Sequence, residues 1–183
     1  AISIGKQDFA FLRENNCFFV DKTNFIKEWW DNVDDITLLT RPRRFGKTLN
    51  MSMLNCFFSN KYADRGDLFE GLSIWKEEKY RSLQGKYPVI FLSFADVKQT
   101  NYKDAIQKIK NCIVEAYRNF PQLITWDGFS EGEHRQIMAV TSEMDDVTAQ
   151  DALKNLSAWL EHYYGKKAII LLDEYDTPMQ EAY

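Results

Sequence analysis

The chain has 183 residues, of which 45% are hydrophobic and 15% aromatic, and its formal net charge is −4. This length and this apolar content allow a substantial core and exclude an intrinsically disordered chain. The acidic balance argues against a broad nucleic-acid-binding surface on this segment.

The three cysteines, Cys17, Cys56 and Cys112, are widely spaced and form no CxxC pair. This pattern favours free thiols in a reducing compartment over a disulfide framework. No run approaches the roughly 20 apolar residues of a membrane span, and no secretory signal pattern is present. We therefore expect a cytoplasmic protein without a membrane partner. Because the chain starts at Ala1 and stops abruptly at Tyr183, we also expect it to be a piece of a longer protein.

The N-terminal region predicts a short helix over Asp8–Leu12 and a short strand over Cys17–Val20. A second helix follows, opened by Asp21-Lys22-Thr23, with its apolar residues on one face. We expect Asp21 or Thr23 to cap this helix, and a role near a nucleotide base is the weaker alternative. Residues 1–35 are assigned to this lead-in and residues 36–183 to the main domain.

A basic, glycine-containing loop follows the short apolar run Ile36–Thr40 and precedes a helix that begins near Gly46. The loop reads Arg41-Pro42-Arg43-Arg44-Phe45-Gly46-Lys47-Thr48. A strand, a turn and Gly-Lys-Thr at a helix start form a phosphate site, because exposed N–H groups and the helix dipole favour an anion. Lys47 adds a point charge, and the Thr48 hydroxyl can bind Mg²⁺. The full pattern has glycine where Arg41 stands, so an ordinary turn followed by an exposed first helical turn remains the alternative.

The middle of the chain alternates helical and strand patterns. The helix after the loop has a broad apolar face, residues 59–87 predict an irregular insertion, and Val89–Phe94 predicts a strand. A helix follows a cap near Asn101, and two segments resemble capping boxes. These boxes are Ser130–Glu133 and Thr148–Asp151, and the second precedes an amphipathic helix that ends at Gly165.

A second candidate site feature is the apolar strand Ala168–Leu172, which ends in Asp173-Glu174. A strand that is apolar on both faces belongs inside a parallel sheet, and ligands bind at the carboxyl ends of such strands. Asp173 would hold Mg²⁺, while Glu174 would orient and deprotonate the attacking water. A solvated acidic turn is the alternative. Together with the basic loop, the acidic pair favours a nucleotide site in a three-layer α/β domain with a mainly parallel sheet.

Four segments of the sequence resemble the bacterial AAA-ATPase-like family, and the resemblance extends from about Gly5 to the end of the chain. The Arg-Pro-Arg-Arg-Phe-Gly-Lys form of the loop is itself typical of that family, which accounts for Arg41. The four segments are Phe19–Thr23, Arg41–Thr48, Pro88–Phe94 and Leu171–Asp176.

The resemblance implies a P-loop NTPase fold in which a catalytic glutamate follows the Mg²⁺-binding aspartate. Members of the family often carry a nuclease-like domain of the PD-(D/E)XK type further along the chain, so the resemblance makes such a domain a possible partner in the rest of the protein. In such folds another strand inserts beside the strand of the lysine loop, and it would follow Tyr183. We therefore expect an incomplete sheet here, with open edges that favour self-association, and weak hydrolysis by the isolated fragment.

These observations predict an ATP-binding module that hydrolyses ATP with Mg²⁺ and has Lys47 and Glu174 as catalytic residues. The metal ligands are expected to be Thr48 and Asp173. Arg43 and Arg44 would add phosphate contacts or serve a neighbouring subunit. The nucleotide-binding set is Arg43, Arg44, Phe45, Gly46, Lys47, Thr48 and Leu49.

Three alternatives remain. The first is a regulatory module that holds nucleotide without turnover, and Glu174 argues against it. The second is an accessory module for nucleic-acid processing that uses the arginine cluster of the loop. The acidic balance of this segment argues against it, but a partner domain could supply the basic surface. The third, a metabolic kinase, is disfavoured because the sequence contains no recognisable lid or acceptor-binding motif.

Overall fold

The computed structural model describes residues 8–32, 47–94 and 101–173. These residues form two compact units that divide between Val89 and Ile90. The predicted domain boundary between residues 35 and 36 lies outside the described ranges and stays a prediction. The same holds for the predicted strand over 36–40.

The described part of the first unit is helical. Short 3-10 turns at Asn60–Tyr62, Gly66–Phe69 and Ser73–Lys76 make up much of the irregular insertion expected after the third helix. The expected helices near residues 8, 24 and 46 are confirmed. The α-helices are α1 (Phe9–Glu14), α2 (Asn24–Asp31), α3 (Lys47–Phe58) and α4 (Glu78–Arg81).

One expectation for the N-terminal region is wrong, and a second is confirmed in position only. Cys17–Val20 has no regular secondary structure, although the sequence predicts a strand, and Phe18 and Val20 are exposed there. Thr23 occupies the N-cap position of α2, but its side chain makes no capping hydrogen bond. Its hydroxyl instead donates to Asp21 and accepts from the backbone of Ile74. A long-range contact therefore replaces the expected local one.

The second unit is an α/β unit. Its strands pair in parallel to form a two-stranded sheet within the described residues, and four helices lie between them in sequence. This arrangement confirms the α/β class, and the three-layer P-loop architecture stays a prediction. The elements are β1 (Val89–Ser93), α5 (Tyr102–Arg118), α6 (Gln122–Thr125), α7 (Glu131–Met138), α8 (Asp146–Tyr164) and β2 (Ile169–Asp173).

The helix ends in this unit follow the expected chemistry with one exception. Asn101 caps α5, and Ser130 forms a complete capping box with Glu133. The predicted box at Thr148 is wrong, because the side chain of Asp145 accepts the Thr148 N–H and α8 begins three residues earlier than expected. Gly165 ends the same helix in the left-handed conformation with φ +69°.

Each unit has its own core. That of the first unit is largely aromatic, with Phe57 and Phe69 packed edge to face at 5.0 Å between ring centroids. That of the second unit includes Leu156 and Leu160 of α8, and Ile170 of β2 packs against it. No helix in the described ranges is both long enough and apolar enough to cross a bilayer.

Candidate functional site

The predicted phosphate loop meets the described structure at the start of α3. This helix begins at Lys47, the position that the Gly-Lys-Thr pattern requires. The first turn of a helix leaves backbone N–H groups without intrahelical partners, and the helix dipole makes this end attractive to anions. The predicted binding residues Arg43, Arg44, Phe45 and Gly46 lie outside the described residues, as do the side chains of Lys47 and Thr48.

Contacts at its middle and at its C-terminal end hold α3 in place. The backbone N–H of Phe9 in α1 donates to Ser52 Oγ at 3.0 Å, which satisfies one of the free donors at the start of α1. At the far end, the carbonyl of Phe57 accepts from Gly85 at 2.7 Å. Met51 and Leu54 are fully buried. These hydrogen bonds and buried side chains fix the position of α3 within the first unit.

A cavity of about 330 Å³ lies beside the first two turns of α3. Leu49, the one predicted nucleotide-binding residue whose side chain is described, is half-buried and lines it. The lining comes from three parts of the first unit: α1, the irregular segment before α2, and α3. The lining residues are Phe9, Phe19, Val20, Lys22, Leu49, Asn50 and Met53.

The segment that contributes Phe19 and Lys22 is tied down by the carboxylate of Asp21. Its Oδ1 accepts from the backbone N–H and the hydroxyl of Thr23, at 3.0 and 2.7 Å. Its Oδ2 accepts from the backbone N–H and the hydroxyl of Ser73, at 2.9 and 3.0 Å. These bonds fasten the segment to the irregular insertion, so Lys22 lies between two anchored residues.

The other predicted site residue that the structure describes is Asp173, the last residue of β2. Its side chain is 1% exposed, and its backbone carbonyl accepts from Phe94 at 3.0 Å. Its Oδ1 is buried and has no hydrogen-bond partner in the described structure. A buried polar atom without a partner is rare, and an ion that completes the site is one accepted explanation. Glu174, the predicted general base, lies outside the described residues.

Asp173 is the one predicted metal ligand whose side chain the structure describes. Within the described ranges, no group of three or more His, Cys, Asp or Glu side chains is close enough to hold a metal ion. Mg²⁺ characteristically uses one or two carboxylates together with substrate phosphates and water. A single buried aspartate fits that pattern. Asp173 belongs to the second unit, whereas Lys47 belongs to the first.

The sequence identified the helix start and the acidic strand end but missed the cavity. Phe19 and Lys22 lie in Phe19–Thr23, one of the four segments that resemble the family, so the signal was present. It pointed to an N-cap, because Asp and Thr before a helix normally cap it locally. Nothing in a linear pattern shows that Asp21 bonds instead to a residue 52 positions away.

Comparison with known proteins gives a family but little detail. No solved structure matches the chain significantly. A protein from Azotobacter chroococcum mcd 1, named "Uncharacterized protein in vnfD 5'region", is 26% identical over 179 residues, which are 97% of this chain. The chain spans 29% of the length of that relative. The model of the family described as "Predicted AAA-ATPase" matches residues 3–183. With nearly its whole length matched, the chain belongs to this AAA-ATPase-like family.

Proposed function

We propose that this protein binds ATP through its phosphates at the start of α3 and hydrolyses it with the help of Mg²⁺. Membership of the AAA-ATPase-like family supports a function related to ATP. The observation that carries the finer proposal is Asp173, a buried carboxylate with an unpartnered oxygen at the carboxyl end of a parallel strand. Ligands bind at this end of the strands in open α/β sheets.

The roles at α3 follow from the chemistry of a polyphosphate. The free backbone N–H groups of the first turn donate to phosphate oxygens, and Gly46 lets the backbone approach them closely. Lys47 neutralises charge on the β- and γ-phosphates. Arg43 and Arg44 add further charge-assisted hydrogen bonds to the phosphates.

The roles at β2 concern the metal and the water. Asp173 and the hydroxyl of Thr48 would hold Mg²⁺, which when bound neutralises charge on the phosphate oxygens. Glu174 follows Asp173 directly, and it orients the attacking water and accepts its proton. Positioning and electrostatics supply most of the catalysis in phosphoryl transfer, so we expect these residues to support weak hydrolysis by the fragment alone.

Nucleotide binding is tested by thermal unfolding of the purified protein with and without Mg·ATP. A ligand that binds only the folded state raises the melting temperature, so we expect stabilisation of the wild type. Lys47→Ala should abolish that shift. Lys154→Ala, at an exposed lysine of α8, is the matched control and should leave the shift unchanged. A wild type that Mg·ATP does not stabilise, or a Lys47→Ala variant that binds normally, would refute the proposal.

Hydrolysis is tested separately by phosphate release from Mg·ATP. Glu174→Gln removes the proton acceptor while keeping the size of the side chain. It should lower the rate by roughly 100-fold or more without abolishing ATP binding. A wild type that binds ATP but releases no phosphate would instead support a regulatory module that holds nucleotide.

A further inference from the structure

The cavity beside α3 is close to the proposed phosphate site along the helix. Leu49 and Asn50 are the third and fourth residues of α3, within one helical turn of Lys47, or roughly 5 Å along the axis. A single sugar ring separates the base of a nucleotide from its phosphates. A pocket that accepts the base must therefore lie beside the phosphate site, as this cavity does.

The size and lining of the cavity suit a small planar aromatic group. Its volume of about 330 Å³ lies at the lower end of the roughly 300–1,000 Å³ range of small-molecule sites. Phe9 and Met53 are its buried members, while Phe19 and Leu49 are half-buried and present apolar surface. Flat aromatic rings stack well on such side chains.

The same cavity has two polar side chains with hydrogen-bonding capacity to spare. Within the described residues, neither the ammonium of Lys22 nor the side-chain amide of Asn50 has a hydrogen-bond or ion-pair partner. Lysine supplies donors only, and asparagine supplies both donors and an acceptor. A mostly apolar pocket with a few such polar groups is the usual form of a site for a heteroaromatic ligand.

Contacts within the protein fix the residues that line this cavity in the absence of ligand. Phe9 packs edge to face on Phe19, with 5.8 Å between ring centroids and an interplanar angle of 86°. The backbone N–H of Phe9 is bonded to Ser52 on α3. The segment with Lys22 is tied to the insertion by the bonds between Asp21 and Ser73. A pocket held in this way loses little conformational entropy when it binds.

We propose that this cavity binds the base of the nucleotide whose phosphates lie at the start of α3. The proposal rests on the function proposed above and extends it to residues outside the phosphate loop. Phe19 and Leu49 contact the faces of the base, and Lys22 and Asn50 donate to acceptor atoms at its edge. These residues, rather than the loop, would then distinguish a nucleoside triphosphate from inorganic polyphosphate.

The test compares Mg·ATP with Mg·tripolyphosphate, which has the three phosphates but no base or sugar. Affinities are measured by titration calorimetry, and melting temperatures report on folding. Phe19→Ala should weaken ATP binding by roughly tenfold or more while leaving tripolyphosphate binding unchanged. Phe18→Ala is the matched control, because Phe18 is the neighbouring phenylalanine, is 73% exposed and does not line the cavity.

Phe19→Ala removes a contact with Phe9 and could weaken binding by disturbing the fold, so a second variant tests the cavity without that change. Val20 lines the cavity but is 62% exposed, so Val20→Trp fills the space without removing any core packing. It should also weaken ATP binding and spare tripolyphosphate binding. Unchanged ATP affinity in both variants would overturn the base pocket while leaving the phosphate site intact, and so would equal losses for both ligands. If neither ligand bound the wild type, the proposed function itself would fail.

Discussion

At the scale of single residues, Asp21 shows how a charged side chain can organise a segment without being buried. Its two oxygens accept four hydrogen bonds, two from Thr23 and two from Ser73. The Thr23 hydroxyl is itself fully buried and accepts the backbone N–H of Ile74 at 3.2 Å. Two short polar side chains therefore join parts of the chain that lie about 50 residues apart.

These hydrogen bonds make the stability of the first unit depend on pH. Burial raises the pKa of Asp21, but the hydrogen bonds from Thr23 and Ser73 outweigh it and hold the pKa below its ordinary value of 3.8. A carboxylate with a lowered pKa in the folded state stabilises the fold fully above the unfolded pKa of about 4. That contribution is lost as the pH falls through the lower folded pKa.

We therefore expect Asp21→Ala to destabilise the protein at pH 7 by about 1 kcal/mol, because the carboxylate is largely exposed. The difference from wild type should shrink at pH 3. Urea unfolding at both pH values measures it, with Asp64→Ala, an exposed aspartate of the same unit, as control. A difference that stays constant between the two pH values would show that Asp21 does not act as a hydrogen-bonded carboxylate.

At the scale of elements, the two predicted capping boxes differ in their outcome. Ser130 accepts from the Glu133 N–H at 3.1 Å, and Glu133 accepts from the Ser130 N–H at 3.0 Å. At α8 the cap is Asp145, so Thr148 lies inside the first turn. Both boxes satisfy the same sequence pattern, and each has an aspartate three residues upstream, Asp127 or Asp145. Only Asp145 serves as the cap, so the pattern alone does not decide where the helix begins.

The cap assignment leads to a paired prediction for helices α7 and α8. Ser130→Ala should destabilise the protein by about 1 kcal/mol, because it leaves a backbone donor of α7 without its partner. Thr148→Ala should change stability by less than about 0.5 kcal/mol, because alanine suits a helix interior. Urea unfolding of the two variants gives both values. A larger effect for Thr148→Ala would mean that α8 begins where the sequence first indicated.

The turn after α4 provides another test at this scale. Gly85 has φ +71°, and a Cβ added there would lie 2.4 Å from the Cα of Ala63. Gly71 has φ +82° with open space around it. A side chain at Gly71 would therefore introduce backbone strain without the steric clash expected at Gly85. We expect Gly71→Ala to cost about 1 kcal/mol and Gly85→Ala roughly 3 kcal/mol or more. Equal costs by thermal unfolding would contradict the close approach to Ala63.

At the scale of the whole molecule, the features that the sequence predicts well are those set by local periodicity. The strong apolar patterns of α5 and α8 and the run before Asp173 each became the expected element, because burial of one face decides the structure of such segments. The two-residue signal Asp173-Glu174 was found for the same reason: it directly follows a recognisable strand.

The features that the sequence could not predict depend on distant partners. Cys17–Val20 has strand-forming residues, yet residues of this kind form a strand only when another strand is within reach. The cavity beside α3 is lined by residues from three separate segments between Phe9 and Met53, so no single segment of the sequence indicates it. The nucleotide-binding hypothesis therefore came from two local motifs, while the site for the base appears only in three dimensions.

The anchoring of Asp21 also has a consequence for how the protein is made. Its partner Ser73 leaves the ribosome 52 residues later, and at about 5–20 residues per second that delay is roughly 3 to 10 seconds. The backbone bond from Asn60 to Tyr87 closes still later. Until then, Phe57 and Phe58 of α3 lack their later aromatic partners Phe69 and Tyr87, although Trp29 and Trp30 are already available to Phe58. The first unit thus becomes complete only when synthesis has passed Tyr87, well after its phosphate loop has emerged.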